Sequence, residues 1–304
     1  MCHQYLPAFF TGLVFFSCAA SGEPAPSLDT AQIEQIIGLK GAFNKEENVF
    51  KISKPRTDVK IEVDNWTMPP FMGLTSWAAF TPGRDGQTML MGDTVLFEDE
   101  VNPVMSAALA GGLEVTALHN HFFFDEPKVY FMHIGGMGDA GSLAGAVKTV
   151  YDKIAEIRTA QPQPQKAFAG ATIGTPSSIS SEPLEAVLGI KGQAKDGMFK
   201  VVIGRRASMH GTPVAKEMGV NTWAAFAGSN DEAVVDGDFA MTENELQAVL
   251  KAMRKEGINI VALHHHMSQE EPRILFLHYW GKGQARALAQ SLRIVLDAQA
   301  HVAN

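Results

Sequence analysis

The stretch ALHNHFFFDEPKVYFMHIGGMG, residues 117–138, returns as ALHHHMSQEEPRILFLHYWGKG, residues 262–283. The two align without a gap, so that His119, His121, Glu126, Pro127 and His133 recur as His264, His266, Glu271, Pro272 and His278. Seven of the ten histidines lie in these two segments. A duplicated fold must keep its hydrophobic pattern. Polar residues held in register as well point to a site kept in both copies.

Each segment reads as two strands rich in β-branched and aromatic residues around a turn. Residues two apart in a strand face the same side, so His119 and His121 point together. A hairpin symmetric about Glu126 sets His119 opposite His133, and one about Glu271 sets His264 opposite His278, with Cβ atoms about 4.5–5.5 Å apart. Three imidazoles then converge twice: His119, His121 and His133, and His264, His266 and His278. Zinc takes histidine nitrogens at about 2.0–2.1 Å, and catalytic zinc commonly keeps three protein ligands and a water. Zinc is therefore the favoured ion, and copper or iron would accept the same set.

Glu126 and Glu271 read as the catalytic general bases of such a site. They read equally as a fourth ligand, an outer hydrogen-bond partner, or an ordinary turn residue before proline. Asp93 and Asp238, each following a glycine, read as turn starters or as neighbours of the site. Glu100 and Glu245 read as helix caps. His265 should face away from its two neighbours, and His210 has no counterpart. Trp77 and Trp223 read as core aromatics, the other reading being a stacking platform for a sugar. The bland alternative for the whole constellation is a hydrogen-bonded histidine network without metal.

Working outward, the duplication extends well past the histidines. Ile36–Gly41 matches Val187–Gly192, Trp77–Phe80 matches Trp223–Phe226, and Gly92-Asp93 matches Gly237-Asp238. The first repeat spans 30–155, the second 182–298, and the Pro/Gly/Ser-rich 156–181 is a linker. In the second copy, runs at Phe199–Ile203, Trp223–Phe226 and Ala233–Met241 are strand-like. Thr242-Glu243-Asn244-Glu245 is a capping box opening a helix that Gly257 stops. Strands at Ile258–His264 and Arg273–His278 follow, and a helix over Gln284–Ala298 closes the copy. The expected fold class is α+β: two homologous β-rich units, each ending α-β-β-α, with an antiparallel sheet and helices on one face, packed about a pseudo-twofold axis.

The bulk numbers set limits. A chain of 304 residues, 46% hydrophobic, has room for one large or two medium domains. A net charge of −8 and a pI near 5.7 argue against a nucleic-acid binder. Residues 1–22 are apolar, then small, before Glu23-Pro24-Ala25-Pro26, and read as a signal peptide although they lack a basic start. Cys18 sits where a lipid anchor would attach, but Val14-Phe15-Phe16-Ser17 before it is a poor lipobox. Both cysteines, Cys2 and Cys18, lie in this segment, so the body has no disulfide framework and no thiol nucleophile.

The combination of Trp-Ala-Ala-Phe, Gly-Asp, Glu100-Val101-Asn102-Pro103, Ala117–His121 and Phe131–Gly138 resembles the LppY/LpqO family of bacterial envelope proteins, the group DUF1259. The resemblance covers nearly all of the chain after the N-terminal segment, and Ala-Leu-His-Asn-His is its most specific part. It implies export, often as a lipoprotein, and a tandem domain. It supplies no reaction.

The expectation that follows is an exported metal-dependent enzyme, periplasmic or secreted and hydrolytic rather than redox, acting on a small-molecule or cell-envelope substrate. The alternatives are a non-catalytic envelope protein binding copper or zinc, for which Met132, Met137 and Met267 would suit copper, and a carbohydrate or peptidoglycan-binding module.

Overall fold

A computed structural model describes residues 28–170 and 172–303. The signal-peptide reading over 1–22 and the anchor reading at Cys18 fall outside these residues. Within them the chain is α+β, with two homologous β-rich units.

The two units do not keep separate sheets. Their strands form one twelve-stranded sheet, six from each repeat, every pairing antiparallel. At its centre, Glu114–His119 of the first repeat lies beside Asn259–His264 of the second, paired at Leu118 and Leu263. These two leucines are equivalent residues of the repeat, so a local twofold axis passes between them. Outward from the centre each half runs in the same order. In the second repeat it is Asn259–His264, Ile274–Gly283, Ala233–Thr242, Asn221–Gly228, Met198–Gly204 and Gln193–Lys195.

Alternation along the strands divides the two faces. In Thr75–Pro82, Ser76, Ala78 and Phe80 are buried, whereas Trp77 and Ala79 are half-exposed. The buried face meets the helices of both repeats in one cluster that includes Ile33, Val104, Val147, Leu184, Val249 and Leu292. The opposite face carries two small apolar clusters, around Phe97 and Phe131 in one repeat and around Ala240 and Phe276 in the other. Beside each sits a three-stranded satellite sheet.

The helix starts follow from local chemistry. Helix Glu243–Lys255 opens with Glu245 accepting a hydrogen bond from the Thr242 backbone N–H at 2.9 Å, and helix Glu98–Ala110 opens with Glu100 doing the same for Phe97 at 2.9 Å. Glu100 is also the buried counter-ion of Arg56 (2.7 Å) and Arg158 (2.9 Å), and Glu245 that of Arg205 (2.9 Å). The helix Ala140–Ala160 continues into the stretch read as linker, and the second repeat opens with helix Ser181–Leu188.

Two hairpin expectations are corrected by the register. His119 pairs across with Phe131 rather than His133, and His264 with Phe276 rather than His278. The partners of His133 and His278 are Ala117 and Ala262. The shift is two residues, which preserves the face. Its cause is that the connection is not a symmetric turn. Asp125–Glu126 and Glu270–Glu271 leave it to pair with Glu62–Val63 and Ser208–Met209 in the satellite sheets. Register irregularities at Val115/Ala117 and Ile260/Ala262 add to the asymmetry.

Candidate metal centre

The histidine face is built from rows of residues that sit opposite one another on neighbouring strands. In the first repeat, Trp77 pairs with Asp93 and Asp93 with His133, and in the second Trp223 pairs with Asp238 and Asp238 with His278. The next row holds Phe131 beside His119, and Phe276 beside His264. Asp93 and Asp238 are therefore mid-strand residues of the site, not turn starters. Both are buried, at 8% and 2% exposure.

The preceding glycines have a steric role. A Cβ at Gly237 would lie 2.2 Å from the Tyr279 hydroxyl, which donates a hydrogen bond to the Trp223 carbonyl, and 2.3 Å from that carbonyl oxygen. At Gly92 it would lie 2.8 Å from the Trp77 carbonyl. The recurring Gly-Asp pair thus combines a position with no room for a side chain and a carboxylate aimed at the histidines.

Strands end at His119 and His264, and His121 and His266 stand just past the ends. The imidazoles still meet. Nε2 of His119 lies 3.1 Å from Nε2 of His121, and Nε2 of His264 lies 3.2 Å from Nε2 of His266. Each ring of the second kind is held by stacking, His121 on Phe131 at 3.4 Å between centroids and His266 on Phe276 at 3.5 Å. The third ring stacks on the first: His133 on His119 at 5.2 Å and His278 on His264 at 4.8 Å.

In the second repeat the carboxylate closes on this group. Oδ2 of Asp238 lies 3.2 Å from Nε2 of His266. Ligand atoms of Asp238, His264 and His266 all fall within 4.8 Å of one another, the one such group among the described residues. Backbone carbonyls orient the rings: Nδ1–H of His266 donates to Gly219 and Nδ1–H of His278 to Gly237, both at 3.2 Å. That tautomer leaves the Nε2 lone pairs free for the site. The His266 lone pair and a carboxylate oxygen then face Nε2 of His264, and either a proton or a metal ion must lie among them.

Three observations fit a divalent metal. Tetrahedral zinc with nitrogens at about 2.0–2.1 Å holds its ligand atoms roughly 3.3–3.4 Å apart, close to the spacing of the paired Nε2 atoms. Oδ1 of Asp238, Oδ1 of Asp93 and Nδ1 of His264 are buried without a hydrogen-bond partner. Burial, reinforced by His278, His266 and His265, pushes His264 down from its ordinary 6.5 to about 4, so protons compete weakly for it. Burial likewise lowers His119 and His121, and it raises the Asp238 carboxyl.

The remaining predicted residues lie elsewhere. Glu126, exposed, forms an ion pair with Lys166 at 2.8 Å, and Glu271 pairs with Ser208 in the satellite sheet. Among the described residues no hydrogen bond or ion pair joins either glutamate to a histidine. His265 is exposed, and His210 occupies an exposed hairpin turn with a φ of 52°. Met132 is buried on the helix face, Met267 packs against the cluster around Phe276, and Met137 lies beside Gly83. Trp77 and Trp223 are not core residues. They stand half-exposed beside the aspartates, with Lys51 at 4.4 Å over one ring and Lys200 at 4.2 Å over the other. Sequence reading undervalued the aspartates because their only signal was the recurrence of Gly-Asp in both copies.

An open groove of about 510 Å³ leads to the second site, lined by Lys200, Lys216, Asn221, Trp223, Asp238 and His266 among others. Two cavities of about 210 and 330 Å³ lie under the connector between the repeats and contain no histidine.

A family model described as Domain of Unknown Function (DUF1259) matches residues 31–153 and again residues 182–298. No curated protein matches the chain. Among solved structures the chain is similar to a double-ringed trimeric shell protein of the RMM microcompartment, with 12% identity, a TM-score of 0.18, and coverage of 73% of this chain and 85% of that one. It is similar also to a fused permuted hexameric shell protein of the same microcompartment (13% identity, TM-score 0.19, coverage 74% and 87%). A third is the trimeric microcompartment shell protein PduB (9% identity, TM-score 0.19, coverage 86% and 91%). At these TM-scores the likenesses carry no argument.

Proposed function

The chain belongs to the DUF1259 family, a premise that brings no reaction with it, and from its own residues we propose an exported metal-dependent enzyme of hydrolytic type. The observation that supports the metal is the convergence of Asp238, His264 and His266, with Nε2 atoms 3.2 Å apart and an orphaned buried carboxylate oxygen beside them. His278, stacked on His264 and fixed through its Nδ1–H, stands beside this group without joining it and buttresses the His264 ring. A borderline ion such as zinc suits this nitrogen and oxygen set.

When bound, zinc would lower the pKa of a coordinated water to about 7 and polarise an ester, amide or phosphoryl oxygen. The chain's own residues do the rest. Asp238, buried, would hold the ion with one carboxylate oxygen and leave the other to accept a hydrogen bond from a coordinated water. His266, locked by stacking on Phe276 and by the Gly219 carbonyl, keeps its Nε2 aimed at the site. Glu271, on the satellite sheet, would reach the site only through solvent.

Elemental analysis of the purified chain tests this reading, beside an Asp238→Ala/His264→Ala variant and a variant altered at both repeats. Stoichiometric metal that is lost in the Asp238→Ala/His264→Ala variant supports it, with the variant altered at both repeats reporting any ion held by the first and a hydrolase panel on the loaded protein to follow. No metal after reconstitution with zinc, copper and iron in turn would overturn it in favour of a proton-sharing histidine network.

A further inference from the structure

The two repeats share the histidine and aspartate construction, but their approaches differ. In the second repeat Lys216, Glu217 and Met218 form a short 3-10 turn that ends at Gly219, whose carbonyl holds His266. In the first, the same turn is Pro70, Phe71 and Met72, ending at Gly73. Phe71 is 97% exposed there, and the neighbouring Phe123 and Phe124 are also bare. The second copy has Ser268 and Gln269 in place of those two phenylalanines. The first approach bares phenylalanines, whereas the second presents two lysines beside Glu217 and Asp238.

The two lysines are held in place. The Lys216 stem lies across Gly204, where an added Cβ would come within 2.9 Å of Lys216 Cβ. Among the described residues its ammonium has Glu217 as its ion-pair partner, at 3.9 Å, and that carboxylate, 91% exposed, stands at the same groove. Lys200 holds its ammonium over the Trp223 ring at 4.2 Å, and among the described residues no carboxylate pairs with it. Both lysines and Trp223 line the groove that ends at Asp238 and His266. The Lys200 ammonium, and that of Lys216 with its loose, exposed partner, favour an oxyanion that approaches more closely than Glu217 does, and an indole wall favours a ring or apolar body behind it.

We infer that the second-repeat groove takes a small molecule bearing an oxyanion, a phosphate or a carboxylate, with its charge between Lys200 and Lys216 and its body against Trp223. The inference deepens the metal-site reading above and rests on it for the reaction. The first repeat has Lys51 and Trp77 but proline where Lys216 stands, so anion binding belongs to the second repeat alone.

The test uses the full chain supplemented with zinc, its metal content measured on the same sample. Phenyl phosphate and benzoate serve as the two oxyanion probes, and benzyl alcohol as the neutral control. The readout is the indole N–H resonance of Trp223, assigned with Trp223→Phe. A phosphate or carboxylate probe should move Trp223 and leave Trp77 in place. Lys200→Met/Lys216→Met should weaken that binding about tenfold or more, the loss of at least one charge-assisted hydrogen bond. The single variants should fall between. Equal binding of benzyl alcohol, or undiminished binding in the lysine variants, overturns the inference. Zinc bound with no response at Trp223 overturns it too, while leaving the metal reading intact. A lysine-dependent response in a sample that takes up no zinc upholds the groove and counts against zinc, with reconstitution by copper and iron then deciding the metal reading.

Discussion

The side-chain amide of Asn102 is bonded to both backbone groups of Ile260, accepting from its N–H at 2.7 Å and donating to its carbonyl at 3.1 Å. Gln247, the equivalent residue of the second repeat, does the same for Val115, at 3.2 and 2.9 Å. The two central strands pair at Leu118 and Leu263, and away from that point the ladder no longer serves Val115 and Ile260 on the side facing the other repeat. A side-chain amide, with one donor and one acceptor, replaces the missing strand partner on each side of the twofold.

From this clamp follows a stability prediction. Asn102→Leu removes the partner of two backbone groups at the junction, each costing about 1–3 kcal/mol when left buried and unpaired. Urea unfolding should show the loss for Asn102→Leu and again for Gln247→Leu. A variant as stable as the parent would mean that water reaches Ile260 or Val115.

Glu100 provides a second. It is fully buried and holds Arg56 and Arg158 while capping its helix through the Phe97 N–H. Glu100→Gln keeps the shape and leaves two buried guanidiniums short of their shared charge. Breaking a buried pair by one partner costs about 3–5 kcal/mol, and the residual partners Asp58 and Asp99 moderate this toward the lower end. Thermal or urea melting checks it. A loss no larger than for an exposed substitution would refute the network.

A third concerns the aspartate that sequence reading undervalued. Asp238→Asn should weaken metal binding at the second site by at least the roughly 10–100-fold that even outer hydrogen-bond partners of a metal site command. Competition against a chelator measures it. Unchanged affinity would mean that the carboxylate is only a hydrogen-bond partner of His266.

The pH dependence of the metal-free protein is a fourth. His264 has a folded pKa of about 4 against an ordinary 6.5, so between these values the unfolded chain binds a proton that the native one refuses. Its contribution to stability is therefore whole above about pH 6.5 and is lost as pH falls toward 4. His119 and His121 shift in the same direction, while the raised carboxyl of Asp238 works the opposite way, favouring the native state as acid is added. Unfolding free energies measured across this window should fall with acid, and His264→Asn should flatten the fall. An identical slope in the variant would assign the effect to other groups.

Read along the chain, residues 117–138 and 262–283 were enough to show the duplication and the three histidine positions per repeat, and the segments around them added the antiparallel α+β class and the helix caps at Glu100 and Glu245. Those features are local: side-chain alternation, capping and spacing act within a few residues of one another. Tertiary structure decided the rest. It joined the repeats into one sheet through Leu118 and Leu263, and slipped each histidine hairpin by two residues. It also carried Glu126 and Glu271 off to the satellite sheets and brought Asp93 and Asp238 in from neighbouring strands. Each of these depends on which strand lies beside which and in what register, and pairing between distant segments is set by packing of the whole sheet, not by any one strand's composition.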